Sequence, residues 1–146
     1  MALTIAILAG GAAKRLGGRD KGLAPLLGRP LVAWSLDAAS AMAPTSVLIV
    51  ANRHVDEYRR HAETISDAVP GHSGPLAGVA AALAACATPW LTTLPVDCPY
   101  PPRDLAARLL AFALNAACDA VVAHDGERRQ PLFALYRREL AESAAA

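Results

Sequence analysis

The residue types best suited to chemistry stand near the start of the chain. The apolar run Leu3–Leu8 is short enough for a buried strand, and glycines and basic residues follow it. Glycines let the backbone approach a ligand closely, and successive free N–H groups form a concavity that binds anions. Four cations accompany the single carboxylate of Asp20 in this segment: Lys14, Arg15, Arg19 and Lys21. The segment therefore predicts a phosphate-binding site.

Two common phosphate-binding patterns are absent from this segment. Neither Lys14 nor Lys21 follows a glycine and precedes serine or threonine, as a P-loop requires. The G-x-G-x-x-G pattern of dinucleotide-binding domains is missing as well. The alternative to a phosphate site is a glycine-rich turn whose basic side chains point into water.

A carboxylate occupies the end of another predicted buried strand. The segment Trp90–Pro99 carries Asp97 among prolines that fix the local turn. Mg²⁺ that is bound together with phosphate groups takes one or two carboxylates as well as phosphate oxygens and water. Asp97 is therefore a candidate Mg²⁺ ligand, and the alternative is an aspartate that caps a helix or forms a turn.

Two further polar side chains follow predicted strands. Asn52 comes after Val47–Val50, and Asp67 ends the brief strand Glu63–Asp67. Ligands of open α/β sheets lie outside the carboxyl ends of the strands, where an amide or a carboxylate can bind a base or a ribose. Turn or capping roles for both residues remain open at this stage.

Apolar runs alternate with helical patterns along the chain, which predicts a three-layer α/β domain with a mostly parallel sheet. An antiparallel pair is expected at Gln130–Tyr136, because only a short turn precedes that strand. In the long helix, four residues are expected to face inward: Leu105, Leu109, Leu110 and Phe112. The other predicted elements are a strand at Ala120–Ala123 and helices at Leu31–Met42, Val55–His61, Val79–Ala85 (with Pro75 able to begin it), Pro102–Ala117 and Arg137–Ala144.

Composition narrows the class of protein. The 146 residues suit one domain, 1–146, and a net charge of +1 argues against a general nucleic-acid binder. Three cysteines without C-x-x-C spacing make a disulfide framework or a zinc site unexpected, and Cys98 is expected to be buried. No segment has the apolar length of a membrane span, and the first residues lack the basic start of a signal peptide. We therefore expect a cytoplasmic protein that binds neither nucleic acid nor membrane.

Four motifs in order resemble the molybdenum cofactor guanylyltransferases, from Leu3 to about Leu140. The first is Leu8-Ala9-Gly10-Gly11 with Arg15 and Asp20-Lys21-Gly22, and the second is Asn52-Arg53-His54. The third is Gly74-Pro75-Leu76-Ala77-Gly78, and the fourth is Asp97-Cys98-Pro99. The resemblance implies a Rossmann-like nucleotidyltransferase domain that transfers GMP from GTP to the phosphate of the molybdopterin cofactor, with Mg²⁺ and release of pyrophosphate. It also implies molybdoenzymes or cofactor-delivery proteins as further partners.

The resemblance assigns roles to individual residues. Arg15 and Lys21 would neutralise the triphosphate, and Asp97 would hold Mg²⁺. Asn52 and Asp67 fall on nucleotide-binding positions. The backbone of four residues would bind the nucleotide: Leu8, Ala9, Gly10 and Gly11.

The acceptor side and the end of the chain leave alternatives open. The segment 124–129 resembles the pterin side of the family, where Arg128 and Arg129 could hold a phosphate or could simply lie in water on a hairpin turn. Family members continue beyond the last residue of this sequence, so a truncated or non-catalytic GTP-binding protein is one alternative. A cytidylyltransferase or a sugar-phosphate nucleotidyltransferase of the same fold is the other.

Overall fold

The computed structural model describes residues 2–9, 20–67 and 74–145. Eight strands are found there: β1 Leu3–Leu8, β2 Pro25–Leu26, β3 Arg29–Pro30, β4 Ser46–Val50, β5 Thr64–Ile65, β6 Trp90–Pro95, β7 Ala120–His124 and β8 Arg129–Arg137. The helices are α1 Leu31–Ala41, α2 Val55–Arg59, α3 Pro75–Ala85, α4 Leu105–Ala116 and α5 Ala141–Ala145. Two 3₁₀ turns, Lys21–Leu23 and Arg138–Leu140, complete the set.

Six of these strands form one sheet in the order β5-β4-β1-β6-β8-β7. The strands β5, β4, β1 and β6 run parallel, whereas β8 is antiparallel to both β6 and β7. The predicted mostly parallel sheet with an antiparallel strand near Gln130–Tyr136 is thus confirmed. The strands β2 and β3 form a separate two-residue hairpin.

The side chains of β1 point alternately to the two faces of the sheet, and each face is covered by a layer of helices. Ile5 and Ile7 belong to a core shared with Val32 of α1, Tyr58 of α2 and Leu109 of α4. On the other face, Ala6 packs in a second core with residues of α3: Val79, Ala82 and Leu83. Successive side chains of a strand point to opposite faces, so the central strand carries one helical layer on each side.

Helix α4 faces the sheet with a different stripe from the expected one. Ala106, Leu109 and Ala113 are buried, whereas Phe112 is 60% exposed, so the prediction that Phe112 faces inward is wrong. Small alanines at positions three and four residues from Leu109 let the helix approach the sheet closely, and Phe112 is turned to the edge of that contact. The helix begins three residues later than predicted, after the turn in which the Leu105 N–H donates to the Pro102 carbonyl.

Two other elements differ from expectation for reasons of hydrogen bonding. Strand β5 pairs with β4 at only two positions, and the Asp67 N–H bonds to the side chain of Asn52 instead of a neighbouring strand. Strand β8 continues through Arg137, where the predicted last helix was to begin, because the Arg137 N–H donates to the Asp119 carbonyl at 2.7 Å.

The β7–β8 hairpin contains a bulge of three residues. Ala123 pairs with Gln130, but Val122 pairs with Ala134, so residues 131–133 are extra on β8. Pro131 has no N–H to offer a ladder, which favours an interruption there. The Thr93 hydroxyl of β6 donates to the Leu132 carbonyl at 3.0 Å and fixes the bulge. Among the described helices, none has the length and apolarity needed to cross a membrane.

Candidate active site

The candidate site lies at the edge of the sheet where the parallel strands end. Beyond the strands themselves, the Ala9 N–H donates to the Val50 carbonyl at 2.8 Å, and the Ala51 N–H donates to the Ile65 carbonyl at 2.9 Å. The order of the strands reverses at β1: β4, the next strand of this sheet along the chain, lies on one side of it and β6 lies on the other. Such a switch point is where open α/β sheets bind ligands.

Lys21 and Asp97 lie next to each other at this edge, as the sequence could not show. The Lys21 Nζ is 3.7 Å from the Asp97 Oδ2, and the two side chains are 43% and 48% exposed. An ion pair this accessible to water adds little stability. Both groups therefore remain accessible to a ligand that carries charge of its own.

The turn that carries Asp97 is held from two sides. The Val96 N–H donates to the Leu8 carbonyl at 3.1 Å, and the Ser35 hydroxyl of α1 donates to the Val96 carbonyl at 3.0 Å. Ser35 is 2% exposed. These bonds fix the backbone beside the half-exposed carboxylate, and the sequence gave no signal that Ser35 would do so.

The segment that carries Lys21 is held by Asp20 and by a contact with Tyr58 that the sequence did not predict. Asp20 caps the 3₁₀ turn by accepting from the Gly22 N–H at 3.1 Å, and it accepts a short hydrogen bond from the Tyr58 hydroxyl. Tyr58 is fully buried in α2. Burial, and secondly the hydrogen bond to Asp20, raise the pKa of Tyr58, which keeps the hydroxyl a donor. The Asp20 carboxylate is thus already bound to two groups of the protein itself.

Asn52 joins the segments that follow β4 and β5. Its Oδ1 accepts from the Ser66 hydroxyl at 3.0 Å and from the Asp67 N–H at 2.9 Å. The amide nitrogen takes no part in these bonds. The turn role and the ligand role, which the sequence left as alternatives, are compatible because they use different atoms of one side chain.

Asp67 is a buried carboxylate with an oxygen that no described group satisfies. The residue is 8% exposed, and its Oδ1 has no hydrogen-bond partner. Helix α3 makes room for it at Gly78, where an added Cβ would lie 3.3 Å from the Asp67 Oδ2. Burying an unpaired polar oxygen costs free energy, so this atom is suited to a ligand that brings a donor.

Helix α3 starts beside this carboxylate. Gly74 adopts a φ of +96° at the N-cap, a conformation that favours glycine, and Pro75 occupies the first turn as predicted. The predicted helix therefore extends through the whole Gly74–Gly78 motif. The following residues of the predicted phosphate-binding segment lie outside the described part of the chain: Gly10, Gly11, Lys14, Arg15 and Arg19.

A wide groove lies next to the Asp97 turn, between residues 98–102, α4 and the β7–β8 hairpin. It has a volume of about 840 Å³, and its apolar lining includes Leu105, Leu109 and Phe133. Cys98 was expected to be buried, but it is exposed at the mouth of the groove because the chain has already left the sheet at this residue. The pKa of its thiol is raised, first by the partial burial of the sulfur and secondly by the negative charge of Asp97.

The hairpin turn at the end of this groove is ordered by Asp125. Its Oδ1 accepts from the Glu127 N–H at 2.8 Å and the Arg128 N–H at 2.9 Å, and its Oδ2 accepts from Gln130. These backbone bonds, that of Arg128 first, lower the pKa of Asp125. Arg128 and Arg129 are exposed, so both side chains are accessible to water and to a phosphate group from solution.

The sequence of the chain matches a known protein family over nearly its whole length. Residues 5–146 match the family of MobA-like NTP transferase domains. The chain belongs to this family. The resemblance noted in the sequence is thereby confirmed, as is the Rossmann-like nucleotidyltransferase fold.

Curated relatives and solved structures agree with this membership. The chain is 44% identical to the molybdenum cofactor guanylyltransferase of Vibrio cholerae over 134 residues, which are 92% of this chain and 65% of that protein. It is 42% identical to the enzyme of the same name from Shewanella frigidimarina, covering 96% of this chain and 71% of the relative. The crystal structure of molybdopterin-guanine dinucleotide biosynthesis protein A from Archaeoglobus fulgidus superimposes with a TM-score of 0.76 at 26% identity, over 97% of this chain and 71% of that one. The chain thus spans about two thirds of the length of these three proteins.

Proposed function

We propose that this protein transfers GMP from GTP to the terminal phosphate of the molybdopterin cofactor and releases pyrophosphate. The observation that carries the proposal is the placement of Lys21 and Asp97 3.7 Å apart, at the switch point of a MobA-like sheet. Half-exposed groups of opposite charge at that position suit a phosphate chain and its metal ion. The names of the relatives supply the identity of the nucleotide and of the acceptor.

The nucleotide side of the proposed site uses groups with matching donors and acceptors. Lys21 and Arg15 would contact phosphate oxygens, and the backbone from Leu8 to Gly11 would lie along the nucleotide. The unsatisfied Oδ1 of Asp67 suits the ring N–H or the amino group of guanine. The amide nitrogen of Asn52 would donate to the base or the ribose. Mutual satisfaction of buried donors and acceptors is a source of base selectivity.

Mg²⁺ is the proposed metal, and the donors present fit it in part. The described residues contain no cluster of three or more metal-ligating side chains, so Asp97 would be the protein ligand and phosphate oxygens and water would complete the shell. When bound, the ion would neutralise charge on the phosphates. Lys21 would orient the phosphate chain beside it.

In the proposed reaction one bond forms and one bond breaks, and no side chain has to act as a base. An oxygen of the acceptor phosphate attacks the α-phosphorus of GTP, and the bond from that phosphorus to the oxygen bridging to the β-phosphorus breaks. The electron pair leaves with pyrophosphate. Such transfers depend mostly on positioning and on neutralisation of charge. The proposed acceptor side is the apolar groove beside Asp97, with Arg128 and Arg129 near one end. The reaction is expected in the cytoplasm. Molybdoenzymes or cofactor-delivery proteins are the proposed recipients of the product.

The decisive experiment offers the protein GTP, CTP or ATP together with Mg²⁺, and with molybdopterin, a sugar phosphate or no acceptor. It measures pyrophosphate release and the dinucleotide product. We expect turnover with GTP and only when molybdopterin is present. Preference for CTP would replace the proposal with a cytidylyltransferase, and turnover with sugar phosphates would identify another acceptor. GTP binding without any turnover would identify a non-catalytic protein.

A further inference from the structure

Tyr58 connects helix α2 to the residue that precedes Lys21. Its side chain is fully buried in the core on the α1 side of the sheet, and its hydroxyl donates to the Asp20 Oδ1. The same oxygen accepts from the Gly22 N–H at 3.1 Å. Asp20 and Gly22 flank Lys21 in the chain, so both neighbours of the lysine are tied to one carboxylate oxygen.

Gly22 shows how closely the turn lies on the tyrosine. A Cβ at this position would be 2.2 Å from the Tyr58 hydroxyl oxygen and 3.0 Å from two atoms of its ring. The ring cannot move aside easily because it is fully buried. Glycine is therefore required here for close approach, and the 3₁₀ turn Lys21–Leu23 rests directly on the hydroxyl end of Tyr58.

We propose that Tyr58 is a positioning residue, which sets the place of Lys21 at the triphosphate through Asp20. This inference rests on the proposed role of Lys21 in binding the phosphates. A lysine side chain is flexible, so the location of its ammonium group depends on where its backbone is held. The tyrosine acts from the core and itself contacts no ligand.

The alternative is that Tyr58 contributes only to stability, and a double-mutant cycle separates the two roles. Four proteins are compared by calorimetric titration with GTP: the parent, Tyr58→Phe, Lys21→Ala and the double variant. Phenylalanine keeps the buried ring and removes only the hydroxyl. Tyr136→Phe is the matched control, because Tyr136 is a half-buried tyrosine on the other face of the sheet.

We expect Tyr58→Phe to weaken GTP binding about three- to thirtyfold, which lies within the range typical of coupled neighbours. In the Lys21→Ala background the same change should have little further effect, and Tyr136→Phe should leave GTP affinity at the parental value. A stability role alone would instead lower the melting temperature and leave the affinity of the folded protein unchanged.

Three results would overturn the inference, and they are distinguishable. If Lys21→Ala leaves GTP affinity unchanged, the proposed role of Lys21 fails and this inference fails with it. If Lys21→Ala weakens binding and Tyr58→Phe does not, only the role of Tyr58 fails. Equal effects of Tyr58→Phe in both backgrounds would also overturn it. Should Tyr58→Phe unfold the protein, Asp20→Asn in the same cycle tests the other end of the hydrogen bond.

Discussion

At the scale of single residues, the candidate site contains groups that hold the structure together and groups that are left available to a ligand. Asp20 satisfies Gly22 and Tyr58, and the Asn52 Oδ1 satisfies the segment after β5. Within the described part of the chain, Lys21, Asp97 and the Asp67 Oδ1 make no such hydrogen bond, and the first two share only one long, exposed ion pair. These three groups are the ones whose replacement should change binding or turnover more than folding.

Lys21→Ala should weaken GTP binding and leave the fold intact. A charge-assisted contact to phosphate contributes about 1.5–3 kcal/mol, which corresponds to roughly a ten- to hundredfold loss of affinity. The ion pair with Asp97 is half exposed, so its loss should hardly alter the free energy of unfolding. Calorimetric titration with GTP and thermal unfolding of the same sample measure both effects.

Arg59→Ala is the matched control for this variant. Arg59 pairs with Asp56 on the exposed face of α2 and lies outside the candidate site. Its replacement should leave GTP affinity unchanged. Equal affinity of the parent and Lys21→Ala would remove Lys21 from the site.

Asp97→Asn should abolish transfer while the domain stays folded. Asparagine keeps the size and one acceptor oxygen but loses the charge that a hard cation requires. A metal ion contributes several kcal/mol of charge stabilisation in the transition state, so the rate should fall by about a thousandfold or more. GTP binding without Mg²⁺ should stay the same or improve, because a negative charge near the phosphates has been removed.

Asp104→Asn provides the comparison, since Asp104 is an exposed carboxylate before α4 that makes no capping hydrogen bond. Its turnover should match the parent. Undiminished turnover of Asp97→Asn at ordinary Mg²⁺ concentrations would make Asp97 a turn residue. If the parent itself shows no turnover, Mg²⁺-dependent GTP affinity tests the same assignment.

At the scale of elements, helix α4 has the most informative placement, because its buried stripe differs from the predicted one. Leu109→Ala should cost about 2–5 kcal/mol of stability, as expected for a buried leucine. Phe112→Ala should cost much less, because that ring is 60% exposed beside the groove. Chemical denaturation of both variants compares the two losses.

The comparison of the two stability losses is strict because phenylalanine is the larger of the two side chains. If burial followed the sequence prediction, loss of the phenylalanine ring would be the more damaging change. A greater loss for Phe112→Ala than for Leu109→Ala would contradict the helix orientation seen in the structure. GTP affinity should be unchanged in both folded variants, since neither side chain belongs to the segments that carry Lys21, Asn52 and Asp67.

At the scale of the whole molecule, the candidate site joins parts of the chain that are distant in sequence. The Lys21 turn rests on α2, the Asp97 turn on α1 and β1, and Asp67 on α3. A nucleotide bound across them would contact segments anchored in both helical layers. Ligand binding should therefore stabilise the fold as a unit.

GTP should raise the melting temperature by this linkage. At a GTP concentration one hundred times its dissociation constant, the stabilisation is about 2.7 kcal/mol. For a protein of this size that corresponds to a shift of about 5–10 °C. Thermal unfolding followed by circular dichroism measures it, and the same concentration of CTP should give a clearly smaller shift. An equal shift with CTP would contradict base selection by Asp67 and Asn52.

The sequence by itself determined the main elements and the polar groups at their ends. Apolar runs specified β1 with its observed bounds, and Pro75 was recognised as able to begin α3. These features depend on local chemistry: burial of a short apolar run and the fixed φ of proline. The family resemblance came from the same local segments.

Only the tertiary structure decided which of those groups meet and which are already satisfied. The 3.7 Å approach of Lys21 to Asp97 and the hydrogen bond from Tyr58 to Asp20 join residues far apart in the chain. The orientation of α4 was likewise decided by packing, because two alanines let one face approach the sheet more closely than the face that carries Phe112. Such contacts depend on how whole elements are placed relative to one another. The spacing of residues within one element does not determine that placement.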